Sequence, residues 1–130
     1  MKPITQTYVI HSTLENVWQA LIDPKMIDGW GGGPAKMSDK RGALFSLWGG
    51  DVHGKNLEVH NEAQLVQEWI GWKDETLGAS KLTLDLTEKN GVTTVKLTHE
   101  NVPESEYKEV KKGWKDFYFG PLKTLLEKNS

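Results

Sequence analysis

The sequence contains no cysteine among its 130 residues. This absence excludes disulfide bonds, thiolate zinc sites and a cysteine nucleophile. No apolar run approaches the roughly 20 residues that cross a bilayer, and the first residues, Met1-Lys-Pro-Ile-Thr-Gln, lack the apolar core of a signal peptide. Neither sign of charge prevails, because 16 Lys and Arg stand against 18 Asp and Glu. We therefore expect a cytoplasmic protein with neither a nucleic acid nor a membrane as its partner.

The composition is that of a folded domain. Hydrophobic residues make up 37% of the chain, which also has 13 Gly and six Trp. This apolar content is enough to bury a core, so extensive disorder is not expected. Because folded domains most often hold about 100–150 residues, we predict one domain over residues 1–130.

The N-terminal third predicts one strand and two helices. Residues 3–11 alternate between apolar and polar, which is typical of a strand. Ser12-Thr-Leu-Glu15 fits a capping box with Ser12 as the cap, and it precedes a helix predicted over 13–22. A shorter helix is predicted over 24–28, since proline suits a first helical position. The glycines that flank Trp30 then predict a mobile loop.

From residue 35 to residue 101 the apolar period is two. Leu82, Leu84 and Leu86 alternate with polar residues, and Val95 and Leu97 continue this pattern beyond Asn90-Gly91. Asn-Gly between two alternating runs is a strong signal for a tight hairpin. The pattern predicts six or seven short antiparallel strands in a meander.

After Pro103 the apolar period becomes 3.6, which predicts one long terminal helix. Its predicted apolar face consists of Tyr107, Val110, Trp114, Phe117, Tyr118, Pro121, Leu122 and Leu125. Pro121 lacks an amide hydrogen, so we expect a kink near residues 117–120. The predicted fold class is α+β, with a curved antiparallel sheet around the terminal helix.

Several segments together resemble a known family. They are Ser12–Leu21, Trp30-Gly31-Gly32, Arg41–Leu47 with Gly49-Gly50, Val52-His-Gly54, Leu65–Trp69, Lys96–Pro103 and Gly113–Tyr118. These segments resemble the activator of heat-shock protein 90 ATPase homologue family, within the START-like (SRPBCC) superfamily. The resemblance implies the helix-grip (Bet v-like) fold, with a cavity for apolar ligands between the sheet and the terminal helix. It also implies a heat-shock chaperone as a possible partner.

This cavity is the predicted ligand site. The residues expected to line it are Trp30, Phe45, Leu57, Trp69, Leu84, Val95, His99, Trp114 and Tyr118. Trp30 has two open interpretations, a lid over the cavity or a plug packed on the sheet. His99 also has two, because it shares the inward face of Val95 and Leu97. It is either a buried neutral imidazole or an acid/base group.

Two polar patterns are candidate sites. Asp51 with His53, and Glu58 with His60, pair carboxylates with imidazoles at spacing two. Strand residues of this kind more often face solvent, so no metal is predicted, and no cofactor is expected. A basic stripe, which consists of Lys108, Lys111, Lys112 and Lys115, follows the terminal helix. Such stripes are usually solvated, and an acidic protein partner is the alternative.

Three functions follow from these observations. The first is a non-enzymatic domain, a monomer or a weak dimer, that binds a small apolar molecule. The second is a co-chaperone that docks on the heat-shock ATPase and stimulates it. The third is a small cavity enzyme in which His99 or a tyrosine acts as acid or base.

Overall fold

A computed structural model describes residues 2–128. Its strands are β1 (Ile4–Ile10), β2 (Leu44–Leu47), β3 (Val52–His60), β4 (Gln64–Ile70), β5 (Ser80–Lys89) and β6 (Val92–Glu100). Two helices, α1 (Leu14–Ile22) and α2 (Pro24–Trp30), follow β1. The terminal helix consists of α3 (Tyr107–Gly113), a π-helical turn (Trp114–Phe119) and α4 (Gly120–Lys128). Within these residues no helix is long and apolar enough to cross a membrane.

The six strands form one antiparallel sheet in the order β1-β6-β5-β4-β3-β2. The first strand pairs with the last, so β1 and β2 are the two edges. Asn90 and Gly91 connect β5 to β6 with positive φ angles of 53° and 77°, as a two-residue hairpin turn with twist matched to the strands requires. The curved sheet around a terminal helix confirms the predicted α+β helix-grip fold.

One face of the sheet supplies half of the core. Leu82, Leu84, Val95 and Leu97 are fully buried, as their alternation predicts. The helices supply the other half, since Val17 and Trp18 of α1 and Leu122 of α4 belong to the same buried cluster. Sheet and helices thus enclose one continuous apolar interior.

A β-bulge in β3 corrects the prediction for Leu57. Asn56 pairs with Gln67 and Glu58 pairs with Val66, so Leu57 is an extra residue between the two pairs. Asn56 is fully buried whereas Leu57 is only partly buried and lies outside the apolar core. Leu57 therefore does not line the interior as predicted, because the inward phase of β3 falls on Asn56.

The first residue of α1 and the last residue of α2 differ from the prediction. Thr13, not Ser12, caps α1, and its side-chain oxygen accepts a hydrogen bond from the Asn16 amide at 3.2 Å. Helix α2 extends to Trp30 and ends at Gly31, whose φ of 104° suits glycine. The predicted mobile loop at Trp30 is wrong, because this residue forms the last turn of a helix.

The predicted kink near Pro121 takes the form of a π-helical turn. The Gly120 amide bonds to the Lys115 carbonyl, five residues back, immediately before the proline that has no amide hydrogen. This extra residue rotates the following chain relative to α3. Phe119 is consequently fully buried and Phe117 is 65% exposed, although the 3.6 period places Phe117 on the apolar face. The predicted inward position of Phe117 is wrong for this reason.

Candidate functional site: a tryptophan cleft beside the terminal helix

The space between the sheet and the terminal helix is largely filled by aromatic rings. Trp114 packs on Trp69 of β4 at 5.1 Å and on Tyr118 at 4.9 Å between ring centroids. Tyr118 in turn lies 4.7 Å from Trp30. Each of these four residues is buried. The large enclosed cavity expected from the resemblance is therefore reduced to the space that these rings leave at one end.

That space is an open cleft of about 330 Å³, which we call the tryptophan cleft. Trp69, Trp114 and Tyr118 line it, as predicted for the ligand site. Its other lining residues are Trp48, Asp51, Val52, Gly71, Glu106, Glu109, Val110, Gly113 and Phe117. The walls are mostly apolar, and the exposed Phe117 stands at the mouth. The volume lies at the lower end of the range of small-molecule sites, about 300–1,000 Å³.

The remaining predicted ligand residues do not line this cleft. Phe45, Leu84 and Val95 are buried in the core, and Leu57 lies at the bulge. Trp30 is 4% exposed and contacts Trp48 and Tyr118 instead of the cleft. Of the two interpretations of Trp30, the plug agrees with this position.

A hydrogen bond fixes Trp30 in place. Its Nε1 donates to the Ala20 carbonyl oxygen at 2.9 Å. In a helix this carbonyl bonds to the amide four residues later, which here is Pro24 and has no hydrogen. The indole thus satisfies a carbonyl that the helix itself leaves without a partner. This dependence makes Trp30 a structural element of the α1–α2 connection.

His99 is fully buried in the middle of a hydrogen-bonded chain. Trp114 Nε1, which can only donate, lies 3.0 Å from His99 Nδ1, so Nδ1 is the acceptor and the proton resides on Nε2. His99 Nε2 therefore donates to Ser80 Oγ at 2.7 Å, and Ser80 Oγ donates to the Trp69 carbonyl at 2.5 Å. Burial lowers the pKa of His99 from 6.5 to about 3.

This chain bears on the two interpretations of His99. Both ring nitrogens have partners, and the imidazole is not among the residues that line the cleft. The arrangement matches a buried neutral histidine that joins β6, β5 and the terminal helix. It places no free acid/base nitrogen of His99 at the cleft.

Trp69 presents a different polar group. It is 6% exposed, and its Nε1 has no hydrogen-bond partner among residues 2–128. A buried donor without a partner costs about 1–3 kcal/mol. Trp18 Nε1 shares this condition, but only Trp69 lines the cleft. The floor of the cleft thus combines a large apolar ring with an unused donor.

The predicted metal candidates and the basic stripe lie apart from one another. His53 pairs with Glu75 at 3.1 Å and His60 with Glu58 at 3.5 Å, all at partly or fully exposed positions. The described part of the chain has no group of three or more His, Cys, Asp or Glu that could hold a metal. The basic stripe is exposed throughout, and Lys111 Nζ lies 6.0 Å from the Tyr107 ring centroid. Its role as a partner surface stays a prediction.

Sequence reasoning missed a buried polar pair beside the core. Gln67 Nε2 donates to Asn56 Oδ1 at 2.9 Å, and both residues are at most 1% exposed. Asn56 Nδ2 also donates to the backbone oxygens of Ser38 and Lys40 at 2.9 and 3.1 Å, which holds the segment before β2 on the sheet. The alternation from Val52 places Asn56 inward, so the signal was present in the sequence.

The fold and the cleft define a START-like domain of the helix-grip type. A family model described as "Activator of Hsp90 ATPase homolog 1-like protein" matches residues 11–127. The chain belongs to this family.

Solved structures share the fold of this chain, and curated relatives share part of its sequence. A crystal structure of an HSP90 activator from Plasmodium falciparum has a TM-score of 0.85 at 24% identity, and the match covers 98% of this chain and 97% of that one. A solution structure of the Aha1 dimer from Colwellia psychrerythraea has a TM-score of 0.83 at 20% identity, with 98% and 97% covered. Activator of 90 kDa heat shock protein ATPase homolog 1 of Homo sapiens is 23% identical over 111 residues, which cover 84% of this chain and 32% of the human protein.

The curated relatives are longer proteins. An uncharacterised protein of Schizosaccharomyces pombe is 25% identical over 123 residues, which cover 95% of this chain and 37% of that protein. The chain thus spans about a third of the length of these two relatives.

Proposed function

We propose that this chain is a non-enzymatic binding domain that takes a small apolar molecule in the tryptophan cleft. The observation that carries the proposal is the cleft itself, with buried Trp69 and Trp114 in its lining and the exposed Phe117 at its mouth. Exposed aromatic surface beside a concave apolar site is characteristic of ligand pockets. A ligand bound in the cleft would remove both the apolar walls of the cleft and the exposed ring of Phe117 from water.

The polar groups of the site favour binding over catalysis. His99 has partners on both nitrogens, and burial lowers its pKa to about 3, so it is neutral and fully engaged at neutral pH. Tyr118 lines the cleft, and burial raises its pKa, which keeps its hydroxyl protonated. Neither His99 nor Tyr118 is therefore suited to proton transfer near pH 7.

The test is a titration with phenylbutanol, a neutral molecule of a size that suits the cleft, followed by isothermal titration calorimetry. Replacing Phe117 with Ala removes the aromatic mouth, whereas Leu44→Ala shortens another apolar side chain, 78% exposed on the edge strand β2. If a ligand covers about 50 Å² of Phe117, burial at about 25 cal/mol per Å² contributes roughly 1.3 kcal/mol. We therefore expect Phe117→Ala to weaken binding about ten-fold.

The control variant Leu44→Ala shows whether the effect is specific to the cleft. Leu44→Ala is expected to leave the affinity unchanged, since Leu44 does not line the cleft. Absence of saturable binding to the parent protein contradicts the proposal, as does an equal effect of both variants.

A second candidate function is docking on the 90 kDa heat-shock chaperone and stimulation of its ATPase. It is supported by the names of the human relative and of the Plasmodium structure, which matches this chain over 97% of its length. The basic stripe offers an exposed surface for an acidic partner. Addition of the purified chain to the chaperone's ATPase assay tests this candidate, with Lys111→Glu and Lys112→Glu as the variants that should abolish stimulation.

A further inference from the structure

Three carboxylates surround the apolar floor of the tryptophan cleft. Asp51, at the start of β3, and Glu106 and Glu109, at the start of the terminal helix, are among its lining residues, and we call them the acidic rim. The residues that line the cleft include no Lys, Arg or His. The chain as a whole is nearly balanced, with a formal net charge of −2, so this excess of negative charge is local.

The carboxylates of the acidic rim form no ion pair within the part of the chain that the structure describes. Among the ion pairs and side-chain hydrogen bonds of residues 2–128, none involves the carboxylate of Asp51, Glu106 or Glu109. By contrast, Glu75 in the neighbouring hollow pairs with His53 at 3.1 Å, and Asp74 caps the turn at Thr76. The carboxylates at the cleft are the ones left available to a ligand.

The neighbouring hollow carries charges of both signs. It shares Asp51, Gly71 and Glu106 with the cleft, and Lys73 and His53 line it together with Asp74 and Glu75. The excess of negative charge therefore belongs to the cleft and its three carboxylates. Trp48 and Phe117, which also line the cleft, add aromatic rings, whose faces attract cations.

We propose that the tryptophan cleft selects organic cations, molecules that join an apolar part of moderate size to an amine or ammonium group. This inference rests on the proposed function and names the chemical class of its ligand. The apolar part packs on Trp69 and Trp114, and the positive group lies at the acidic rim. Because a water molecule occupies about 30 Å³ in the liquid, a cleft of about 330 Å³ holds roughly eleven non-hydrogen atoms.

A metal ion is not the cation that this geometry fits. The described residues bring no three potential ligands together in an arrangement that could hold a metal. The carboxylates instead surround an apolar floor, so a ligand has to satisfy both surfaces at once. An amine at the end of an apolar chain does so.

Three probes of matched shape test the inference by isothermal titration calorimetry: phenylbutylamine, phenylbutanol and phenylbutyrate. Each exposed ion pair contributes about 0.2–1 kcal/mol, and three such carboxylates predict that the amine binds about three- to 150-fold more tightly than the alcohol. Phenylbutyrate is expected to bind more weakly than the alcohol. Added salt should reduce the advantage of the amine, since exposed charges are screened.

The double variant Glu106→Gln with Glu109→Gln removes two charges from the acidic rim. It should bring the affinity for the amine to within about five-fold of that for the alcohol, and leave the alcohol's own affinity unchanged. The matched control is Glu100→Gln with Glu104→Gln, which removes two exposed charges that do not line the cleft. This control should keep the full preference for the amine.

The outcomes separate this inference from the proposed function. Equal affinities for the amine and the alcohol overturn the selection of cations and leave the apolar site intact. Tighter binding of phenylbutyrate overturns it as well, and so does an equal effect of the two double variants. If none of the three probes binds, the proposed function and this inference both fail.

Discussion

Acid should destabilise this protein through His99 before its carboxylates are protonated. The unfolded chain binds a proton on this imidazole with the ordinary pKa of 6.5, whereas burial lowers the pKa in the folded chain to about 3. The folded state therefore requires the neutral imidazole. The stability contributed in this way is present above pH 6.5 and is lost as the pH falls from 6.5 towards 3.

The magnitude follows from the two pKa values. Each pH unit within this window costs about 1.4 kcal/mol, so a change from pH 7 to pH 5 is expected to lower the free energy of unfolding by about 2 kcal/mol. This is a large share of the roughly 5–15 kcal/mol that stabilises a typical domain. Protonation cannot be relieved locally, because Trp114 Nε1 already donates to the nitrogen that would accept the proton.

Urea denaturation at the two pH values, followed by far-ultraviolet circular dichroism, measures this difference. His99→Gln should be less stable at pH 7 and should lose most of the difference, whereas a variant with Gln at positions 53 and 60 should retain it. If His99→Gln does not fold, the imidazole carbon shifts of the parent protein report the titration directly by NMR. A folded-state titration of His99 near pH 6.5, or a parent protein equally stable at both pH values, would refute the reasoning.

Three further predictions concern stability, each measured by urea denaturation at neutral pH. Gly120→Ala places a Cβ 2.4 Å from the Lys115 carbonyl oxygen and should lower the free energy of unfolding by about 1–3 kcal/mol. The control Gly113→Ala, whose Cβ would have its nearest atom at 3.7 Å, should raise the free energy of unfolding by up to about 1 kcal/mol. Equal effects of the two variants would contradict the π-turn. Trp30→Phe removes the hydrogen bond to a carbonyl of α1 and should cost about 1–3 kcal/mol, whereas a lid would tolerate it. Asn56→Ala removes three side-chain hydrogen bonds, two of them to the segment before β2, and should cost at least about 2 kcal/mol, so a neutral result would exclude the polar pair as a determinant of stability.

The structure of β5 and β6 could be predicted from local sequence patterns. The inward positions of Leu82, Leu84, Val95 and Leu97 follow from alternation alone, and Asn90-Gly91 sets the hairpin that pairs the strands. These features depend on residues a few positions apart, so they are present in the sequence without knowledge of the rest of the chain. The number and order of elements, and hence the helix-grip fold, were accessible for the same reason.

Two errors concern which residues face the interior. Alternation from Val52 places Asn56 inward and Leu57 on the opposite phase, so the prediction for Leu57 was wrong although the pattern was present in the sequence. The π-turn before Pro121 adds one residue to the helix, so Phe119 is buried and Phe117 is exposed, which a constant period of 3.6 does not anticipate. The prediction for Trp30 was wrong for a different reason. Its glycine neighbours indicated a loop, whereas a hydrogen bond to the Ala20 carbonyl holds its side chain in the interior.

The sequence by itself determined the strands, the tight turn, the aromatic terminal helix and the membership in a family, because each depends on short-range patterns. Only the tertiary structure decided that the aromatic rings fill most of the interior and leave a cleft beside Trp69 and Trp114. It also decided that Asp51 and Glu106, far apart in the chain, meet at the mouth of that cleft. Packing volume and electrostatic field are sums over residues brought together by folding, so no local pattern contains them.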